Sequence, residues 1–192
     1  SFGYGNEGKL GHGDKEYQTL PKPIEAMRGK RVVQVSAGGG HSLLLTESGE
    51  VFSFGYGGHG QLGHGNRDDQ HVPKLIEALS GVRVCAVSAG QSHSLFLTED
   101  GKVFSCGAGG FGQLGLRDDT WKYTPCRITM PSVRGIAAGV YSSLMVGING
   151  CAYRCGWIGK NASPTSTNEP EKVKGLQGKF VVAACAAGYD YN

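Results

Sequence analysis

No run of apolar residues in this chain approaches the roughly 18 that a membrane-crossing helix requires, and none of its six cysteines stands in a Cys-x-x-Cys pair. The first absence argues against membrane insertion through a helix. The second, with Cys151 and Cys155 the nearest two, removes the usual zinc signature, so no metal is expected. Tryptophan is down to two residues, Trp121 and Trp157. Charge is short as well: 19 Lys and Arg stand against 16 Asp and Glu, a formal net charge of +3. Basic residues gather no further than pairs such as Lys30-Arg31, so the electrostatic footprint of a nucleic-acid binder is missing and nucleic acid is not an expected partner. The opening Ser1-Phe2-Gly3-Tyr4-Gly5 has no signal-peptide character. Most of the cysteines (Cys85, Cys106, Cys126, Cys151, Cys155, Cys185) replace apolar residues at strand positions, which predicts reduced, buried thiols in an intracellular protein.

Glycine, by contrast, is abundant: 33 of 192 residues, against a usual share of about 7%. Because 39% of the chain is still apolar, these glycines belong in turns between packed segments and not in a disordered linker. They also mark an internal repeat. The stretch SAGGGHSLLLTESGEVFSFGYGGHGQLGHG, from Ser36 to Gly65, returns as SAGQSHSLFLTEDGKVFSCGAGGFGQLGLR from Ser88 to Arg117, and in decayed form from Ala137 to Gly159. Gly38 to Gly55, Gly90 to Gly107 and Gly139 to Gly156 are each 17 residues apart, whereas the other interval varies between 32 and 35. A constant stretch with length change confined to one connector describes a fixed hairpin joined by a surface loop.

Each copy reads as four short strands: Val32–Val35, Ser42–Thr46, Glu50–Phe54 and, after a polar loop, Lys74–Ala78. Glu47-Ser48-Gly49 and Glu99-Asp100-Gly101 supply hairpin turns. Pro73, Pro125 and Pro170 are expected just before the last strand, with Glu77-Ala78-Leu79 as an alternative helical turn. Four strands recurring every 49 to 52 residues match a propeller blade, since a parallel solenoid would need shorter repeats.

The pattern GxxHSLxLTxxGxVFSxGxGxxGQLGxG resembles the repeat of the regulator-of-chromosome-condensation family. The likeness runs through essentially the whole chain, clearest around His41 and His93 and weakest around Tyr141. It implies an all-β fold: propeller blades of four antiparallel strands, part of a seven-bladed ring. The expected division is a partial blade at 1–31, blades at 32–82 and 83–133, a degenerate blade at 134–180 and a partial blade at 181–192. Such a chain cannot close a seven-bladed ring alone. It is expected to need further blades, or a partner, to cover its open ends.

The spelling G-x-G-x-x-G at Gly55 to Gly60 is a dinucleotide fingerprint on paper, but it recurs at Gly3 and Gly107 and opens no helix, so no cofactor is expected. Gly38, Gly55, Gly63, Gly90, Gly107, Gly115, Gly139 and Gly156 are read as structural glycines of tight loops, with Gln61-Leu62-Gly63 and Gln113-Leu114-Gly115 as loop anchors. His41 and His93 have two readings: a structural one, donating to a backbone carbonyl and locking the adjacent loop, or contact with a partner. In exchange-active members the loops around this position face the bound GTPase, so the resemblance makes Gly39, Gly40, His41, Gln91, Ser92 and His93 partner-binding candidates. Two departures weaken that. The third copy has Ser142 at the histidine position, and Gly39, Gln91 and Val140 put no acid where an exchange surface would present one.

No Ser-His-Asp, Cys-His or paired-carboxylate arrangement stands apart from the repeat, and no catalytic residue is assigned. His12, His59, His64 and His71 lie in loops without ligand spacing. Asp68-Asp69 and Asp118-Asp119 are taken as turn residues at equal loop positions, and Asn161-Ala162-Ser163 as a silent glycosylation sequon. Neither tryptophan belongs to a repeated aromatic cluster, which argues against the family's plant ultraviolet-B photoreceptor. The exposed candidates for docking are the loop residues Tyr17, His59, Arg67, Phe111, Arg117, Trp121 and Tyr123.

The function expected is therefore a non-enzymatic scaffold that docks proteins on its loop faces, in cytoplasm, nucleus or a cytoskeletal structure such as a cilium. Guanine-nucleotide exchange on a small GTPase is the alternative. A targeting domain of a larger protein such as a ubiquitin ligase is a weaker one.

Overall fold

The computed structural model describes residues 1–157, 166–176 and 181. Twelve strands form three antiparallel sheets of four. The first sheet holds β1 (Val32–Ala37), β2 (His41–Thr46), β3 (Val51–Gly55) and β4 (Gln70–Leu75). The second holds β5 (Val84–Ala89), β6 (His93–Thr98), β7 (Val103–Gly107) and β8 (Lys122–Arg127). The third holds β9 (Val133–Ala138), β10 (Ser142–Gly147), β11 (Ala152–Gly156) and β12 (Thr167–Lys172). Strands run in sequence order across each sheet, and the only helical pieces among the described residues are four single 3₁₀ turns.

β2 and β6 read as unbroken apolar runs and not as alternating ones, because both faces of these strands are covered. Leu43, Leu45 and Val51 pack with Val87, Ala89, Phe96 and Cys106 of the second sheet. Leu95, Leu97 and Val103 pack with Met145, Tyr153 and Cys155 of the third. On the other face of the first sheet, Met27 from the N-terminal segment covers Leu44, Phe52 and Phe54. Each fully buried Leu, Val or Phe contributes roughly 1.5–3 kcal/mol, so these seams between sheets carry most of the cohesion. β1 touches β5 and β5 touches β9, which places the first strands on the inner side and leaves β4, β8 and β12 as outer edges.

The last strand departs from the sequence reading. β4 begins four residues earlier than expected, at Gln70, and Glu77–Leu79 is a 3₁₀ turn that buries Leu79. Pro73, Pro125 and Pro170 lie within the outer strands, not before them. An outer edge needs no inward N–H, and the pairing of β3 with β4 is irregular between Ser53 and Gly55, so proline is tolerated there. Cys85 is exposed, unlike the buried Cys106 and Cys155, and the described cysteines are all free thiols. Cys185 and Asn161-Ala162-Ser163 lie outside the described residues.

Candidate partner-docking face

Two kinds of loop share one side of the sheets: the β1–β2 connections with their analogues, and the long β3–β4 connections that carry the Gly-x-Gly-x-x-Gly spelling. Where these meet a neighbouring sheet, a three-part relay recurs. His41 Nε2 lies 2.8 Å from Ser94 Oγ of the next sheet, and Ser94 Oγ donates to the Gln61 carbonyl at 2.7 Å. One seam further, His93 Nε2 lies 2.9 Å from Ser143 Oγ, which donates to the Gln113 carbonyl at 2.7 Å. Since each serine spends its proton on a carbonyl, it accepts from the imidazole, which fixes both rings as neutral Nε2–H tautomers. Burial lowers the pKa of His41 to about 3, with repulsion from His93 adding to it, and burial lowers that of His93 to about 4.

His41 and His93 are 1% and 0% exposed. They therefore offer no surface to a partner; their role is structural, but the acceptor is a serine hydroxyl of the next sheet and not the backbone carbonyl expected. Their neighbours divide: Gly39 and Gln91 are exposed at the rim, each donating its N–H to the next sheet (Gly90 and Gly139 carbonyls, at 3.2 and 3.1 Å), while Gly40 and Ser92 are half-buried. Gly38 is required by close approach. A Cβ there would overlap the Gly90 carbonyl and stand 2.6 Å from His41 Cε1, and Gly90 is confined in the same way by Gly139. Gly55, Gly63, Gly107, Gly115 and Gly156 all hold positive φ. The loop anchors behave as expected: Leu62 and Leu114 are buried, and the Gln61 and Gln113 side chains accept the His59 and Phe111 N–H at 3.0 and 2.9 Å.

Above the relays lies an aromatic row that sequence reading missed. At the first seam Tyr56 meets His59 edge-on at 5.4 Å, and His59 meets Trp121 of the second sheet's loop at 4.8 Å. At the next, Phe111 lies 4.5 Å from Tyr141, which lies 6.1 Å from Trp157. His59 and Phe111 are equivalent residues, and Tyr4, Tyr56 and Trp157 each follow the corresponding glycine (Gly3, Gly55, Gly156), although Ala108 follows Gly107, so Trp157 stands at a recurring aromatic position. Comparing the residue after each of these glycines would have found Tyr56 and Trp157 but not the rest of the row. Trp121 and Phe111 are 40% and 44% exposed, and Tyr17, also exposed, pairs with Tyr4 at 5.2 Å.

Arg67 crosses the first seam, its guanidinium 5.6 Å from the Trp121 ring and 5.0 Å from the Tyr123 ring while bonding Tyr123 Oη. Arg117 crosses the second, its N–H donating to the Asn168 carbonyl at 2.6 Å and its side chain pairing with Glu169 at 3.1 Å. The aspartate pairs are not equivalent, because they fall two residues out of register. Asp118 caps the Thr120 N–H at 3.0 Å, as Asp14 caps the Glu16 N–H at 3.1 Å and Asn66 the Asp68 N–H at 3.3 Å, while Asp69 holds the Gly57 N–H at 2.9 Å. His64 is held by Ser53 at 3.0 Å, and burial beside Lys74 lowers its pKa to about 4. Among the described residues, no three His, Cys, Asp or Glu side chains are grouped as a metal site.

Four-stranded blades joined by these relays define a β-propeller segment. A family model described as regulator of chromosome condensation (RCC1) repeat matches residues 1–45, 48–97 and 100–146, and a second of the same description matches 32–61 and 84–113. The chain belongs to the RCC1-repeat family. It is 39% identical over 160 residues to the ultraviolet-B receptor UVR8 of Arabidopsis thaliana, covering 82% of this chain and 36% of the receptor. It is 37% identical over 193 residues to the human E3 ubiquitin-protein ligase HERC2, covering 95% of this chain and 4% of the ligase. The chain thus spans a minor part of the length of these relatives. Among solved structures, human WBSCR16 is 27% identical with a TM-score of 0.76, covering 91% of this chain and 47% of that one. Prp20p of Saccharomyces cerevisiae is 24% identical with a TM-score of 0.83, covering 97% and 49%, a likeness of fold.

Proposed function

We propose that this segment is a non-enzymatic docking scaffold whose loop face, centred on Trp121, Arg67 and Phe111, binds a protein partner. The carrying observation is the row of half-exposed aromatics laid across two rigid seams, with an arginine stacked at one of them. Tryptophan, tyrosine and arginine are the residues that most often anchor interfaces, and here the sheets hold them in place, so binding would order few side chains. Tyr123, Arg117, Gly39, Gly40, Gln91 and Ser92 form the rim of the same face, and His59 lies within the row. An intracellular partner, such as a small GTPase or a cytoskeletal assembly, is the kind proposed. The cytoskeletal or ciliary setting rests on the sequence reading alone.

A second reading, a targeting module within a larger enzyme, is favoured by the match to HERC2 and, at 36% identity, to a short part (17%) of mouse HERC4. Nucleotide exchange on a small GTPase is the other reading, on the family resemblance; Prp20p, described together with its binding to Gsp1p and histones, is a likeness of fold alone. Affinity purification with this chain, in nucleotide-free buffer and again with excess GTP, separates these. A set of partners indifferent to nucleotide and lost in the Trp121→Ala/Phe111→Ala variant supports the scaffold. A small GTPase held only without nucleotide overturns it in favour of exchange.

A further inference from the structure

The residue before the recurring proline faces solvent in every copy: Leu20, Val72, Thr124 and Glu169 precede Pro21, Pro73, Pro125 and Pro170, and all four are exposed. Thr124 alone among them carries a hydroxyl. Its carbonyl accepts from the Cys126 thiol at 3.5 Å, but its Oγ1 has no hydrogen-bond partner among the described residues. The ladder between β7 and β8 also lapses around it. Gly107 pairs with Lys122 and Ser105 with Cys126, while Tyr123, Thr124 and Pro125 have no partner in the register.

Pro125 holds Thr124 extended and brings no N–H of its own. Arg127, three residues after Thr124, is exposed and in no ion pair among the described residues. An extended hydroxyl followed by proline, with a base at the third place, is the pattern that proline-directed protein kinases accept. The chain's other hydroxyl–proline pair, Ser163-Pro164, has Ser166 at the third place.

The second seam shows what an anion at this position does. Glu169 stands at the place of Thr124, and its carboxylate pairs with Arg117 of the preceding sheet's loop at 3.1 Å. At the first seam Gly65 takes the place of Arg117, and a Cβ there would lie 3.6 Å from Thr124 Cγ2. The loop that bears Gly65 also carries Arg67, which stacks on Trp121 and Tyr123 and pairs with no carboxylate among the described residues.

We propose that Thr124 is the acceptor of a proline-directed protein kinase and that its phosphate pairs with Arg67, giving the first seam the anion–arginine link that Glu169 and Arg117 give the second. Thr124 Oγ1 attacks the γ-phosphorus of ATP; the Oγ1–P bond forms, the bond from that phosphorus to the bridging oxygen breaks, ADP leaves and the hydroxyl proton passes to the kinase's base. The phosphate adds a charge of about −1.5 to −2 and accepts charge-assisted hydrogen bonds from a guanidinium. The site stands apart from the docking reading; on that reading, the same step draws Arg67 off the Trp121 ring.

The folded chain is incubated with a purified cyclin-dependent kinase and ATP, and the phosphate is located by mass spectrometry. Phosphate is expected on Thr124 below the unfolding temperature. Thr124→Val, which installs the residue already present at the equivalent Val72, is expected to lose that phosphopeptide and keep the fold. Arg127→Gln is expected to slow the reaction at Thr124 by about tenfold, and Arg67→Gln to speed removal of the phosphate by a non-specific phosphatase by about fivefold. Absence of phosphate from Thr124 of the folded chain, or its appearance there only after heat unfolds the chain, overturns the site. An undiminished rate in Arg127→Gln overturns the kinase class, and equal rates of removal overturn the link to Arg67.

Discussion

Arg117 occupies a backbone conformation that its equivalents leave to glycine: φ is 65° at Arg117, 82° at Gly65 and 90° at Gly13. A side chain in the left-handed region costs roughly 1–2 kcal/mol, and the ion pair Arg117 makes with Glu169 is between two exposed groups and offsets little of it. Arg117→Gly is therefore expected to raise stability by about 1 kcal/mol, read as an increase in urea midpoint. His41, His93 and His64, whose pKa values are all lowered, contribute to the acid response. Above pH 6.5 the rings are neutral whether folded or unfolded, and stability is level. Between 6.5 and about 4 the unfolded chain takes up protons that the folded chain refuses, so each ring lowers stability by up to about 1.4 kcal/mol per pH unit. His93 completes its loss near pH 4 and His41 near pH 3. His93→Gln, which does not titrate, is expected to give a shallower fall in urea midpoint between pH 7 and pH 5.

At the scale of the element, the seams decide. Gly38→Ala forces a Cβ into the neighbouring sheet's backbone, which cannot yield without opening the β1–β5 contact; a loss of roughly 3 kcal/mol is expected, against under about 1 for Ala at Gly110, where a Cβ meets nothing and φ is not positive. The hairpins were legible because the 17-residue glycine interval admits only β2 and β3 with a short turn. The outer strand was not, because proline in Gln70–Leu75 reads as a boundary until the strand is known to be an edge. A structural role for His41 could be inferred from its place beside Gly38. Its partner Ser94 lies 53 residues away, and only the packing of one sheet on the next brings the two together. The aspartate pairs misled because matching letters outweighed matching register, whereas Asp14, Asn66 and Asp118 keep both.

Across the whole molecule, one side carries the aromatic loops and the opposite side the short turns, where Arg83 pairs with Glu99 and Arg31 with Glu47 on exposed surface. Trp121→Ala with Phe111→Ala removes surface contacts and no seam relay, so thermal unfolding should move by no more than a few degrees while partner affinity falls by about tenfold or more, measurable by titration calorimetry. Gln61 belongs to both halves of that contrast. Its side chain holds the loop bearing His59, and its carbonyl ends the chain of protons that begins at His41. On the docking proposal, grip and cohesion are linked: any steadying of the relay by a partner held at His59 is matched by an equal loss of that partner's affinity when acid opens the relay.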